Sequence, residues 1–180
     1  MEELDHWDVG NTDLVNDGYY AWMAIWRAHS LVTKHLERDL KDRFDLSMSA
    51  CEVLSTLALL PDGRMRMNDL ANWVFLSKSG VSQLVTQLAG LGLVERQGDP
   101  GNLRITYAAI TEQGRTMTRR VTPVFFGDIR EHFGKHLSSE EASTVLRAMN
   151  RVLDAGGMRK EIPNHLAAID KLRESAQDDD

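Results

Sequence analysis

Most apolar positions along this chain fall at helical spacing, and one stretch near its middle breaks that rhythm. From Asp13 to Phe44, Trp22, Trp26, Val32, Leu36 and Leu40 recur on a helical period with no proline among them, which predicts one long helix. A second helix is predicted between Ser47 and Leu60. It is opened by Ser49-Ala50-Cys51-Glu52, a capping box in which Ser49 and Glu52 satisfy each other's orphan backbone amides. Pro61-Asp62-Gly63 is a turn. Asn68 caps a short third helix carrying Leu70, Ala71 and Val74, and Ser77 caps a fourth after a few intervening residues. In that fourth helix Val81, Leu84, Val85, Leu88 and Leu91 form one apolar face.

The period then changes. Gly90 and Gly92 end the fourth helix, and Leu93–Gln97 and Arg104–Ile110 read as two strands, the second rich in β-branched and aromatic residues at Ile105, Thr106 and Tyr107. Asp99-Pro100-Gly101-Asn102 joins them, so the hairpin is a wing. Thr111 caps a fifth helix with Met117, Val121, Phe125 and Phe133 inside, and Pro123 is expected to kink it or break it in two. A second box, Ser138 to Glu141, opens a sixth helix that is expected to bury Ala142, Val145, Leu146, Met149, Val152 and Leu153 before Gly156-Gly157 stops it. In the tail, Ile162, Leu166, Ile169 and Leu172 suit a short docking helix ahead of an acidic end. The expected fold is mostly α: a winged helix-turn-helix with a two-stranded β-wing, and N- and C-terminal helices for dimerisation. Its units are an N-terminal dimerisation helix (1–46), the winged domain (47–111), C-terminal dimerisation helices (112–157) and the tail (158–180).

The fourth helix changes the picture from fold to function. Its outer face is Lys78, Ser79, Ser82, Gln83, Thr86 and Gln87, many hydrogen-bonding groups with one formal charge. A face of that kind suits a surface that must be read, and base edges in a DNA groove are such a surface. Ser77, Lys78, Ser79, Ser82, Gln83 and Thr86 are therefore candidate DNA contacts, with Gln83 able to pair with adenine through two hydrogen bonds and Lys78 suited to phosphate. Arg104 on the wing is expected to meet phosphate or a minor groove, and Arg66, with Arg64, to meet the backbone ahead of the third helix. Arg96 has two readings, a phosphate contact or an ion pair with an acid at the hairpin base, and the second is favoured.

Composition bounds these readings. The net charge of −6 weighs against a nucleic-acid partner on average, but local charge on one face is what matters for DNA. The opening "MEELDHWDVG" is acidic rather than basic and apolar, unlike a signal peptide, and no apolar run approaches the roughly 20 residues of a membrane helix. One cysteine excludes an intramolecular disulfide and fits a reducing cytosol, so a cytoplasmic, membrane-free protein is expected. There is no Gly-x-Ser-x-Gly, no phosphate loop and no Cys-His pairing with an orienting acid, so neither an enzyme nor a cofactor is expected.

The order of a long helix, three short helices, a wing and two C-terminal helices resembles the MarR family of bacterial transcriptional regulators, over roughly Tyr19 to Leu153. The most specific part is Leu70 to Thr111. Gly92-Leu93-Val94-Glu95-Arg96 matches the family's Gly-Leu-Val-x-Arg strand, and Ile110-Thr111-Glu112-Gln113-Gly114 matches its Leu-Thr-x-x-Gly helix start with Ile for Leu. Where the family's wing usually carries Asp-x-Arg, this chain has Asn102-Leu103-Arg104, so Arg104 lacks that acidic partner. Gln83 and Gln87 stand where the family often has Arg, which implies lower non-specific affinity. The resemblance implies a homodimeric, cytoplasmic DNA-binding regulator with interlocking terminal helices, a pseudo-palindromic operator, and release by small aromatic or phenolic acids.

Four further residues gain meaning from that resemblance. Trp22, Trp26, Arg27 and His29 lie within two turns of the first helix, where the family binds ligands against the winged domain. An indole wall plus a cation suits an aromatic carboxylate; dimer packing is the plainer role. Cys51, beside Glu52, reads as a buried structural thiol rather than a redox sensor. His132 and His136 have metal-ligand spacing, but Gly134 interrupts them and no third ligand is evident, so no metal is expected. The rival class is a winged-helix protein-interaction module without DNA binding. From Ser47 to Thr111 five cations (Arg64, Arg66, Lys78, Arg96, Arg104) face five acids (Glu52, Asp62, Asp69, Glu95, Asp99), a balance that suits it.

Overall fold

The computed structural model describes residues 16–74 and 76–156. Helix α1, Asp17–Phe44, is capped by Asn16, whose side chain accepts from the amides of Gly18 and Tyr19, and it ends on Asp45 in a left-handed conformation. Residues 13–15, with which the expected first helix begins, lie outside the described residues, as do Gly157 and the docking helix expected in the tail.

Helix α2, Met48–Leu59, starts earlier than the sequence pattern implies. Its cap is Ser47, in extended backbone, whose hydroxyl accepts from the Ala50 amide at 3.1 Å. Glu37 of α1 accepts from the Met48 amide at 3.2 Å, so the reciprocal carboxylate comes from another helix. Glu52 is left inside α2, half-buried, with its carboxyl pushed up by burial.

A strand that the periodicity misses, β1 at Arg64–Arg66, feeds directly into helix α3, Met67–Trp73. The expected Asn68 cap is therefore replaced by Arg66 in extended backbone, with no side-chain cap bond. Helix α4, Lys78–Gly90, does use Ser77, whose hydroxyl accepts from the Gly80 amide at 3.0 Å. Strands β2, Val94–Asp99, and β3, Asn102–Ile110, form the wing, and β1 joins it as a third antiparallel strand in the order β1-β3-β2. Arg66 and Gln97 both lie opposite Tyr107 in the register. A three-residue strand is too short to show a period of two, which is why β1 is silent in the sequence.

The Ile110-Thr111-Glu112-Gln113-Gly114 motif now has a physical account. Thr111 Oγ1 donates to the Gly92 carbonyl at 2.7 Å and accepts from the Gly114 amide at 3.0 Å, stapling the start of helix α5, Glu112–His132, onto the turn between α4 and β2. Gly92 makes that turn with φ of 71°, and a side chain at Gly114 would collide with the carbonyl oxygen of Leu93. Helix α5 runs through Pro123 without a break. Its flanks explain this: Val121 is buried in the core, and Met117 and Phe125 pack against it, so tertiary contacts hold both sides of the proline.

A single-turn 3-10 segment at Gly134–His136 precedes helix α6, Ser139–Ala155, which opens with the expected Ser138–Glu141 box. The core is centred on the winged segment, where Val53, Leu54, Leu57, Leu70, Val81, Val85, Leu88, Leu93, Val94 and Ala108 are all buried, and Leu40 of α1 and Val121 of α5 close it. Helix α6 contributes nothing to it. None of its residues is buried in the single chain, contrary to the expected apolar seam, and Leu146 and Val152 are 54% and 64% exposed. The reason is direct: α6 has a strongly one-sided apolar face, and among the described residues no element covers it.

Candidate nucleic-acid interface

Residues Lys78, Ser79, Gln83, Thr86 and Gln87 of α4 are exposed, while Val81, Leu84, Val85 and Leu88 on its other side are buried. The 3.6-residue period thus separates anchoring from presentation on one helix. Ser82, Gln83, Thr86 and Gln87 line a shallow, open groove of about 310 Å³. Ser77 and Ser79 share a hydrogen bond at 3.0 Å at the helix start, next to Lys78, where the unpaired amides of a first turn favour an anion.

The wing is braced by short side chains. Asp99 Oδ1 accepts from the Gly101 amide at 2.8 Å, and Asn102 Oδ1 accepts from the Arg104 amide at 3.0 Å. The acid missing at position 102 is thus replaced by an amide that fixes the backbone of Arg104 rather than its guanidinium, which stays exposed.

Tyr107 is a part of the site that sequence reasoning missed. Its hydroxyl donates to Asp99 Oδ2 and accepts from Arg66 Nε, each at 3.3 Å. The Arg64 guanidinium lies over its ring, 4.9 Å from the centroid. Strand pairing creates this cluster, since Arg66 is 41 residues away and enters through β1. The alternation of β3 could have marked Tyr107 as a sheet-face residue, but nothing local points to its cationic partners.

Among the described residues Arg96 pairs with no acid at the hairpin base. Its Nη2 donates to the Ser82 carbonyl at 2.8 Å, to Ser82 Oγ at 2.9 Å and to Thr86 Oγ1 at 3.0 Å. Strand alternation explains the correction: Glu95 lies on the opposite face of β2, where it accepts from Gln97 Nε2 at 2.7 Å.

The four candidate ligand residues lie on the outer half of α1. Trp22, Trp26, Arg27 and His29 are all exposed, with His29 Nε2 3.4 Å from Thr33 Oγ1. A larger open cleft of about 630 Å³ lies at the other end of α1, among Glu37, Lys41, Asp45, Ala50, Leu84 and Leu91. Cys51 is buried, and its thiol is pushed up to about 12, first by burial and then by the Glu37 carboxylate. His132 stacks on His35 of α1 with centroids 4.0 Å apart and planes 9° apart. Among the described residues no three His, Cys, Asp or Glu side chains gather closely enough to hold a metal ion, and no helix is long and apolar enough to cross a membrane.

A winged domain built this way matches known proteins along nearly its whole length. The sequence profile of the MarR family matches residues 44–105. Among solved structures, AbsC, a MarR family transcriptional regulator from Streptomyces coelicolor, is 31% identical, with a TM-score of 0.72 over 78% of this chain and 95% of that one. Sco3205, a MarR family regulator from the same organism solved in complex with DNA, is 26% identical, with a TM-score of 0.72 over 79% and 88%. The HTH-type transcriptional repressor IacR of Pseudomonas putida is 26% identical over 83% of this chain and 84% of its own. With this fold and these relatives, the chain belongs to the MarR family of transcriptional regulators.

Proposed function

We propose that two copies of this chain bind a pseudo-palindromic operator and repress transcription until a small aromatic or phenolic acid weakens the complex. The observation that carries the reading is the face of α4: hydroxyls and amides held outward on a helix whose opposite side is locked in the core. Ser77, Lys78, Ser79, Ser82, Gln83 and Thr86 meet DNA in the major groove, while Arg66 and Arg104 meet backbone or minor groove from the sheet and the wing. Second copies cover the bare apolar positions of α1, α5 and α6, among them Trp22, Phe126, Leu146 and Val152. In a dimer the two reading helices enter successive major grooves about 34 Å apart on one side of the duplex. Trp22, Trp26, Arg27 and His29, open in one chain, gain their second wall from that assembly and hold the acid.

The experiment is a selection of duplexes from a random library by the full-length chain, followed by titration with salicylate- and benzoate-like acids. Enrichment of an inverted repeat, weakened by an acid that also quenches indole fluorescence, supports the reading. A ligand acts only through its differential affinity for free and bound states, so both changes must track one binding curve. Enrichment of nothing favours the interaction-module alternative, which the five-to-five charge balance of residues 47–111 keeps in play.

A further inference from the structure

We propose that Arg96 is the positioning residue that decides which base edges α4 reads, an inference that rests on the DNA-binding reading above. Its guanidinium reaches from the wing strand to two hydroxyls one helical turn apart, both lining the groove of the reading face. A hydroxyl has one proton and two lone pairs. Thr86 Oγ1 gives its proton to the Ser82 carbonyl at 2.8 Å and accepts from Arg96, so it has no proton left for a base. Ser82 Oγ accepts from Arg96 and keeps its proton.

The two hydroxyls are left with one free O–H and one lone pair each, and the fixed cation beside them sets the bias: its charge favours an acceptor and repels the positive hydrogens of an amino group. The patch matches the keto oxygens of guanine (O6) and thymine (O4) and opposes the amino groups of cytosine (N4) and adenine (N6); the N7 acceptor, common to both purines, does not discriminate. Arg96 therefore makes Ser82 and Thr86 a selector of keto over amino bases at one position of each half-site. Without it, the Ser82 hydroxyl recovers both lone pairs, turns freely, and accepts from an amino group as readily as it donates to a keto group. The same three bonds join strand β2 to the middle of α4, so the wing and the reading helix present themselves as one rigid surface.

The test is duplex selection by the full-length wild type, Arg96→Ala, Arg96→Lys and Thr86→Val, with folding checked by circular dichroism. Each is then titrated against the selected duplex, single keto-to-amino swaps, and a scrambled duplex at several salt concentrations. Arg96→Ala should lower the ratio between selected and swapped duplex about tenfold, the scale of one base contact, with the salt slope unchanged. Arg96→Lys should restore part of that ratio. Thr86→Val should relax the same position, and adding Arg96→Ala to it should cost less than in the wild type. If Arg96→Ala does not fold, the Thr86→Val selection carries the test. An equal loss on every duplex with a slope lower by about one makes Arg96 a phosphate contact and overturns the proposal. So does an unchanged ratio, or a wild-type preference for amino edges opposite Ser82. A wild type that enriches no duplex overturns the DNA-binding reading itself, and this proposal with it.

Discussion

Helices α2 and α6 carry apolar residues at the same spacing and use them in opposite ways. In α2, Val53, Leu54 and Leu57 are at most 1% exposed, on a helix packed against α1, α5 and strand β3. In α6, Val145, Leu146 and Val152 stand open. Helix α1 holds both conditions in one element, with Leu36 and Leu40 buried toward its C-terminal end and Trp22 and Trp26 bare toward its start. The winged core is thus satisfied by this chain alone, whereas the terminal helices leave large apolar side chains open, the kind of surface an association would cover. Stability and assembly should therefore respond to different residues.

The largest effect is expected in the core. Leu57→Ala removes a fully buried side chain and should cost about 2–5 kcal/mol in urea unfolding, the range for leucine truncation in a packed interior. A cost near zero would mean the winged segment is not the self-sufficient half. Leu146→Glu should leave the circular dichroism of the fold intact and raise the dimer dissociation constant at least tenfold in sedimentation, from the roughly 1.5–3 kcal/mol of a buried leucine. If the wild type sediments as a single chain at every concentration, the contrast between the two regions has been misassigned to dimerisation.

The comparison sharpens further within the surface proposed to meet DNA. Gln83→Ala should cost roughly 1–3 kcal/mol on the selected duplex only, with the salt slope unchanged. Arg104→Ala should weaken all duplexes alike and lower the slope by about one unit, as its proposed contact with phosphate or the minor groove requires. Identical behaviour of the two variants would erase the division between reading helix and wing.

At neutral pH the smallest effect concerns Cys51, whose thiol is pushed up to about 12 from an ordinary 9.0. Below pH 9.0 both folded and unfolded chains carry the protonated thiol, and its contribution to stability is full. Between 9.0 and about 12 the unfolded thiol ionises while the folded one does not, so stability falls as pH rises. Cys51→Ala should flatten that part of the alkaline loss, and the wild-type thiol should resist alkylation near neutral pH. Fast labelling of the folded chain would show that burial at α2 is looser than its packing implies.

Local chemistry made several features legible from sequence. Ser77, Thr111 and Ser138 cap the helices they precede, because a cap is an interaction between a hydroxyl and amides two or three residues on. The buried stripe of α4 follows from spacing alone. Where the decisive partner came from elsewhere in the chain, the sequence pattern misled: Glu37 helps open α2, and β1 displaces the Asn68 cap. Pro123 belongs to the same group, since its helix is held by a core that no window around the proline contains.

What the sequence by itself determined is therefore the set of short-range commitments: helix periods, caps, the wing turn, and the polar face offered at Lys78 to Gln87. Only the tertiary structure decided how those parts address one another. It set Arg64 and Arg66 around Tyr107, stacked His35 on His132, and gave Arg96 to Ser82 and Thr86 rather than to an acid. The physical reason is that strand pairing and helix packing join residues by register across tens of positions, and a side chain's hydrogen-bond partner is fixed by that register and not by its neighbours in sequence.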